Sequence, residues 1–265
     1  MSDARGVYTA KKKNGDVYYR ASFTFRGRHI SLGSYVSASE ANAAYTEALA
    51  LSSSSLSVSD YTDSTSLPFV KWVVIINFRD NGLYIKTPIY LKKNMFYYYL
   101  DENEVYTFDA EDLFFYSTHK IMKRGGHLFV ADFGMQINIA SRYGIKNYAI
   151  EGKDYYFING DDHDYRYSNI SVINRYNGVA VHGRGTAGEH YVAKIHIRGD
   201  YIIGRYETET EAAVAYNKAV DVLLEKGVMK HYEKNYIESL SSTDYNFIYQ
   251  NINISNKITE ICEKS

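Results

Sequence analysis

A stretch of about fifty residues occurs twice in this chain. Residues 5–51 and 177–227 match at an offset of 172, which becomes 171 after one residue is dropped in the second strand. Before the slip the identical pairs are Gly6/Gly178, Val7/Val179, Tyr19/Tyr191, Ala21/Ala193, Arg26/Arg198, Gly27/Gly199 and Ile30/Ile202. After it come Gly33/Gly204, Tyr35/Tyr206, Glu40/Glu211, Ala41/Ala212, Ala44/Ala215, Tyr45/Tyr216 and Ala48/Ala219. Two copies are too few for a stacked solenoid, in which each repeat buries its open face on the next. The expectation is two small domains flanking a different middle.

Each copy spells the same local devices. Tyr191–Arg198 alternates with period two, placing Ala193, Ile195 and Ile197 on a core face and Val192, Lys194, His196 and Arg198 on the other. Gly199-Asp200 is read as a tight turn into Tyr201–Tyr206. Thr208-x-x-Glu211 is a capping box opening a helix, whose Ala212, Ala215, Tyr216, Ala219 and Leu223 share one face, with Gly227 at its end. In the first copy Tyr19–Arg26 alternates, Gly27-Arg28 turns, and Ser37-x-x-Glu40 precedes Ala41, Ala44, Tyr45 and Ala48. Small side chains on that face let the helix lie close on a three-stranded sheet.

These residues carry a resemblance. Arg-Gly-Val near the start, a strand running into a Gly turn, and Leu-Gly-x-Tyr followed by Ser-x-x-Glu-Ala-x-x-Ala-Tyr are similar to the apetala-two/ethylene-response-factor DNA-binding domain. The resemblance implies a sheet, not a helix, lying in the major groove. The basic residue that follows Arg-Gly-Val in that family is replaced here by Tyr8, and by Ala180 in the second copy. The family's sheet-surface contact positions hold Ser22 and Thr24, or Lys194 and His196.

Charge bears on that implication. The 265 residues carry a formal net charge of −1, low for a nucleic-acid binder. Residues 1–50 hold seven basic against four acidic side chains, residues 51–120 six against nine, and residues 177–230 seven of each. Phosphate contact needs local positive charge, for which the first copy offers Lys11-Lys12-Lys13, Arg20, Arg26 and Arg28. A solvated basic face is the competing reading. The single cysteine, Cys262, excludes an internal disulfide framework and a thiolate-rich zinc site. No apolar run is long enough to span a membrane, and Met1–Arg5 does not read as a secretory leader, so an intracellular, cytoplasmic protein is expected.

The expected fold class is α+β. Residues 1–51 form the first apetala-type domain, 52–68 a Ser/Thr-rich linker, 69–176 a β-rich middle, 177–232 the second copy, and 233–265 a helical tail. Phe69–Phe78, apolar and β-branched, reads as a buried strand. Tyr84–Leu91, Met95–Leu100 and Val105–Phe108 read as further strands, with Phe96–Tyr99 and Phe114–Tyr116 as packing aromatics or base-stacking ones. Along the tail, Tyr245, Ile248, Ile252, Ile258 and Ile261 outline an amphipathic helix that folds back on the second copy or meets a second chain.

The middle carries a second resemblance. Leu91-Lys92-Lys93, Asp109-x-Glu111-Asp112-Leu113 and, above all, Ile158-Asn159-Gly160-Asp161 followed by Arg166-x-x-Asn169-Ile170 are similar to an HNH homing endonuclease. Members of that family often carry an apetala-type domain behind the nuclease, the order found here. The resemblance implies a ββα unit in which a histidine activates water and a second histidine or carboxylate holds one divalent metal. The positions where the family keeps such residues are Tyr156 and Phe157 here, and Phe157 neither ligates a metal nor accepts a proton. Ile173–Asn177 offers only amides where the final histidine belongs. Asp161, Asp162, His163 and Asp164 form a polar turn without the glycine spacing of a calcium loop. Asn169 is expected to pin that turn. Lys123–His127 lacks the spacing of a phosphate-cradling loop, and His119 with His127 lacks a third metal ligand. The resemblance thus implies a degenerate nuclease, with no catalytic residue, metal or cofactor.

Two functional readings stand. One is a non-catalytic, sequence-specific binder of double-stranded DNA, derived from a phage or mobile-element endonuclease and regulating transcription. Its contacts are Arg20, Arg26 and Arg28 in the first copy and Lys194, Arg198 and Arg205 in the second. The other is a protein-binding inhibitor of a host nucleic-acid enzyme, such as a CRISPR effector, on the same scaffold. An active nuclease with rearranged ligands ranks third.

Overall fold

The computed structural model describes residues 5–261, so Cys262 lies outside the described residues. The chain divides into two compact units, residues up to 138 with 161–169, and residues 139–160 with 170 onward. Both mix helix with small antiparallel sheets, five sheets among the described residues. No described helix is long and apolar enough to cross a membrane.

In the first unit, β1 (Val7–Lys11), β2 (Val17–Phe25) and β3 (Arg28–Tyr35) form a sheet in sequence order. Their alternation turns Val7, Ala21, Phe23, Ile30 and Leu32 onto the Ala41, Ala44 and Ala48 face of α1 (Ala38–Ser53). The Ser37 hydroxyl accepts the Glu40 N–H at 3.1 Å, capping that helix. Residues 52–68, expected as a linker, are structured instead: Ser52 and Ser53 end α1, and the rest is packed. Val58 and Leu67 are buried, the Glu47 carboxylate accepts the Ser66 and Leu67 N–H groups at 2.8 and 2.9 Å, and the Trp72 indole donates to the Ser57 carbonyl.

The expected strand Phe69–Phe78 is a helix, α2 (Phe69–Asn81). Trp72 through Phe78 are consecutively buried, so the segment is wrapped on nearly every side and shows no period to distinguish helix from strand. Its punctuation is helical: Pro68 stands just before the first turn, and Gly82 closes the last with φ 69°. Strand Tyr84–Leu91 correspondingly shrinks to β4 (Ile89–Leu91), which pairs with β5 (Met95–Tyr99) and then β6 (Val105–Asp109). Phe96, Tyr98 and Phe108 turn inward with Tyr116 of α3 (Leu113–Thr118), all fully buried, while Tyr97 and Tyr99 share the opposite face. A third sheet joins β7 (Ile121–Arg124), β8 (His127–Asp132) and β9 (Met135–Asn138). Residues 161–169 dock beside β6, where Thr107 accepts from Tyr165 N–H at 2.8 Å and donates to the His163 carbonyl at 2.9 Å.

The second unit pairs β10 (Tyr155–Phe157) with β11 (Ile170–Val172). Residues 173–178 hold no helix and lead directly to the next strand, so the ββα order implied by the nuclease resemblance is not formed. Then come β12 (Val179–His182), β13 (His190–His196), β14 (Asp200–Tyr206) and α4 (Glu209–Glu225), the last opened by the Thr208/Glu211 capping box. The tail folds back on this copy as two short helices, α5 (Ser242–Asn251) and α6 (Asn256–Thr259), instead of one long one. Tyr249 donates to Asp221 at 3.0 Å, Ile258 is fully buried, and the Ser255 N–H donates to the Ile203 carbonyl at 2.8 Å. That last bond covers part of the β14 edge, which would otherwise stand open to pairing.

The two copies fold alike in detail. Each central strand has a register shift at the same place, between Ala21 and Ser22 and between Ala193 and Lys194. Ser22 N–H donates to the Gly6 carbonyl at 3.0 Å, as Lys194 N–H does to Gly178 at 2.7 Å. Burial pushes the Tyr35 and Tyr206 hydroxyls up to about 12, helped by Glu47 and Glu211 respectively. The dropped residue, however, lies in the turn and not in the following strand. Phe23 pairs with Ile30 and Ser22 with Ser31, whereas Ile195 pairs with Tyr201 and Lys194 with Ile202. Ile30 therefore corresponds to Tyr201, and its match with Ile202 is coincidental: Ile30 is fully buried and Ile202 is exposed.

Candidate nucleic-acid interface

Because each helix covers one sheet face, side chains of opposite parity stand on the other. In the first copy this outer face pairs Tyr8 with Arg20, Ser22 with Ser31, Thr24 with His29 and Arg20 with Ser34. In the second it pairs His182 with His190, Val192 with Arg205, Lys194 with Ile202 and His196 with Asp200.

The six expected contact residues fall into three groups. Arg20, Lys194 and Arg205 are exposed on the outer faces. Arg28 and Arg198 are exposed at the strand ends: Arg28 pairs with Phe25 on the helix side, and Arg198 sits in the turn between β13 and β14. Arg26 is committed elsewhere. It occupies the two-residue β2–β3 turn at φ 46°, its guanidinium lies 5.0 Å over the Phe25 ring, and it donates to the Phe78 carbonyl at 3.0 Å. A cation there completes the C-terminal end of α2, where unpaired carbonyls gather.

Further groups share these faces. Lys11, Lys12 and Lys13 are exposed where β1 leaves the first sheet. His182 and His190, missed in the sequence, stack at 5.7 Å on the second. Extending the period-two alternation from β13 to β12 would have found them. His196 Nδ1 lies 2.7 Å from Asp200, and that hydrogen bond holds the Asp200 carboxyl below its usual range.

The nuclease-like positions are occupied by packing. Phe157 is 6% exposed and meets Tyr155 edge-on at 5.9 Å. Asn169 donates its amide to the Asp161 and Asp164 carbonyls at 3.3 and 2.8 Å, pinning the turn. Asp164 leaves the acidic cluster: it is buried and receives Arg166 at 2.8 and 2.6 Å. Among the described residues, Asp161, Asp162 and His163 are the group whose possible metal-ligand atoms lie within 4.8 Å of one another. The His163 ring stacks on Tyr106 at 4.7 Å with Nδ1 2.6 Å from Asp162. His119 stacks on Phe115 at 4.2 Å and faces Asp132 at 3.6 Å. No protein-family model matches this chain, and no curated protein or solved structure matches it.

Proposed function

We propose that this protein binds double-stranded DNA without cutting it, laying the outer faces of its two repeat sheets against grooves. The observation that carries the reading is the duplicated, equally bulged sheet with a helix behind it and a free cation in front: Arg20 in one copy, Lys194 and Arg205 in the other. Such cations either neutralise phosphates or pair with guanine edges. Engaging both sheets on one duplex raises affinity through effective concentration. A repressor-like use in transcription follows from binding without cleavage.

A second reading has its own support. The outer face of the second sheet sets the exposed Ile202 beside Lys194 and includes Asp200, a mixture suited to a protein surface such as a host nucleic-acid enzyme. A salt titration of binding to labelled duplex separates the two. DNA binding predicts that log affinity falls against log salt by roughly 0.9 per phosphate contacted, and that Arg20→Gln and Lys194→Gln each lower that slope by about one. No binding at about 50 mM salt rejects the DNA reading, since phosphate contacts are strongest at low salt.

A further inference from the structure

A cleft of about 270 Å³ in the first unit lies between the end of α2, residues 55–59 and the tyrosine face of the β4–β6 sheet. Its walls combine aromatic rings with two cations, Arg79 and Lys92, against one carboxylate, Asp80. Tyr90 and Tyr97 oppose one another across β4 and β5, and Tyr97 meets Tyr99 edge-on at 6.5 Å. The Lys92 ammonium stands 4.9 Å from the Tyr90 ring centre and 6.0 Å from that of Tyr97. Asp80 also lines the cleft, but Arg79 holds its two oxygens at 2.7 and 3.2 Å and the Tyr90 hydroxyl donates to one at 3.1 Å. Arg79 is likewise committed, to that carboxylate and to the Leu51 and Leu56 carbonyls at 3.2 and 2.7 Å. The remaining charge is that of Lys92, which is exposed and held over ring faces, with serine hydroxyls of residues 55–59 nearby. Core packing accounts for Phe96 and Tyr98 on the inner face and also engages Tyr90 and Tyr99 on the outer one; it does not require a lysine beside the half-exposed Tyr97 ring.

We propose that this cleft holds a single nucleotide unit, its base against Tyr97 and its phosphate at Lys92. A flat π-system with an attached anion satisfies both features, and base–aromatic stacking tolerates any base. The volume lies just under the range of drug-sized sites, which suits one nucleotide and is small for a dinucleotide. The nucleotide is either a free nucleoside monophosphate or a member of a single strand. This site belongs to a different sheet from the repeat faces and does not depend on their role.

Calorimetric titration of the full chain with the four nucleoside monophosphates, with five-nucleotide single strands and with inorganic phosphate tests it. Tyr97→Ala should weaken nucleotide binding roughly ten- to a hundred-fold, the usual worth of one base stack. Lys92→Gln should weaken it and reduce its salt dependence, while Tyr97→Phe, which keeps the ring, should leave it unchanged. Monophosphates binding as tightly as the strands identify a free nucleotide; binding of strands alone identifies a strand-borne one. The proposal is overturned if no nucleotide probe binds at millimolar concentration, if Tyr97→Ala and Lys92→Gln leave binding intact, or if inorganic phosphate binds as tightly as the nucleotides.

Discussion

Gly178→Ala tests the duplicated architecture at its tightest point. Gly178 sits at φ 70°, and an added Cβ would lie 2.3 Å from the Tyr216 ring and 2.4 Å from the Lys194 carbonyl oxygen. Gly6 repeats this at φ 79°, with 2.2 Å to Tyr45 and 2.7 Å to the Ser22 carbonyl. A left-handed alanine costs about 1–2 kcal/mol. Forcing a methyl into packed surroundings costs about 1–3 kcal/mol more. The ring can swing aside, but the carbonyl belongs to the central strand and cannot. The expected loss is therefore about 2–5 kcal/mol, a large part of the ~5–15 kcal/mol that stabilises a typical domain. Because the chain forms two compact units, one melting curve need not be two-state, and hydrogen exchange read by peptide is the better assay. In Gly178→Ala the amides of α4 should exchange faster by roughly thirty-fold to several thousand-fold, with α1 unchanged. Gly6→Ala should reverse the pattern. At Gly199 an added Cβ meets nothing and φ is not positive, so Gly199→Ala should stay within about 0.5 kcal/mol. If Gly178→Ala is as mild as Gly199→Ala, the close approach of that turn to Tyr216 is wrong.

Three further outcomes follow from single contacts. Arg26→Gln removes the bond to Phe78 and the stack on Phe25, and should cost about 1–3 kcal/mol in urea melts while leaving DNA affinity within about two-fold. Ile258→Ala, at a fully buried site beneath the tail, should cost about 2–5 kcal/mol and speed exchange in α4 and β14. Burial pushes the Asp154 carboxyl up, but the Ile150 N–H at 2.9 Å, Lys146 at 3.1 Å and Asn174 at 3.1 Å outweigh it and hold it below the usual range. Its contribution is thus present above the ordinary carboxylate pKa and fades as pH falls through the lower folded value. Asp154→Asn should flatten the acid limb of the second unit's stability, measured by exchange at a series of pH values.

What the sequence revealed was what local rules determine. Ser37 and Thr208 sit where a cap must, and the alternation of Tyr19–Phe25 and Tyr191–Ile195 sets the buried face without reference to anything distant. Burial from all sides erased the signal of α2, since Val73 through Ile76 satisfy strand and helix patterns equally until Pro68 and Gly82 are weighed with the length. The tertiary contact of Arg26 was illegible for another reason. A turn arginine looks solvated in sequence, and the carbonyl it reaches lies 52 positions away on α2. The tail's break between its two helices is likewise tertiary, set where the Ser255 N–H meets β14.

The outer faces of the two copies differ in a way that predicts an asymmetric site if both sheets bind DNA. Identities between the copies fall on positions that the fold needs: the close-approach glycines, the inward alanines and the first-turn glutamates whose N–H groups the helix caps accept. On the outer faces they vanish. Register sets Tyr8 against Ala180, Tyr18 against His190, Arg20 against Val192, Ser22 against Lys194, Ser31 against Ile202 and Ser34 against Arg205. Wherever one copy carries a lysine or arginine on this face, the other carries none. Two sheets of one shape but opposed charge placement cannot present the same donors to a groove, and each base pair displays its own donor and acceptor pattern there. If both sheets read DNA, the preferred site consists of two dissimilar halves. Selection from a random duplex library should return a site with no internal repeat, direct or inverted. Arg20→Gln should relax one half, and Lys194→Gln with Arg205→Gln the other, by about 1–3 kcal/mol per specific contact. Recovery of two matching half-sites would mean that the divergent side chains do no reading, and that affinity comes from backbone contacts alone.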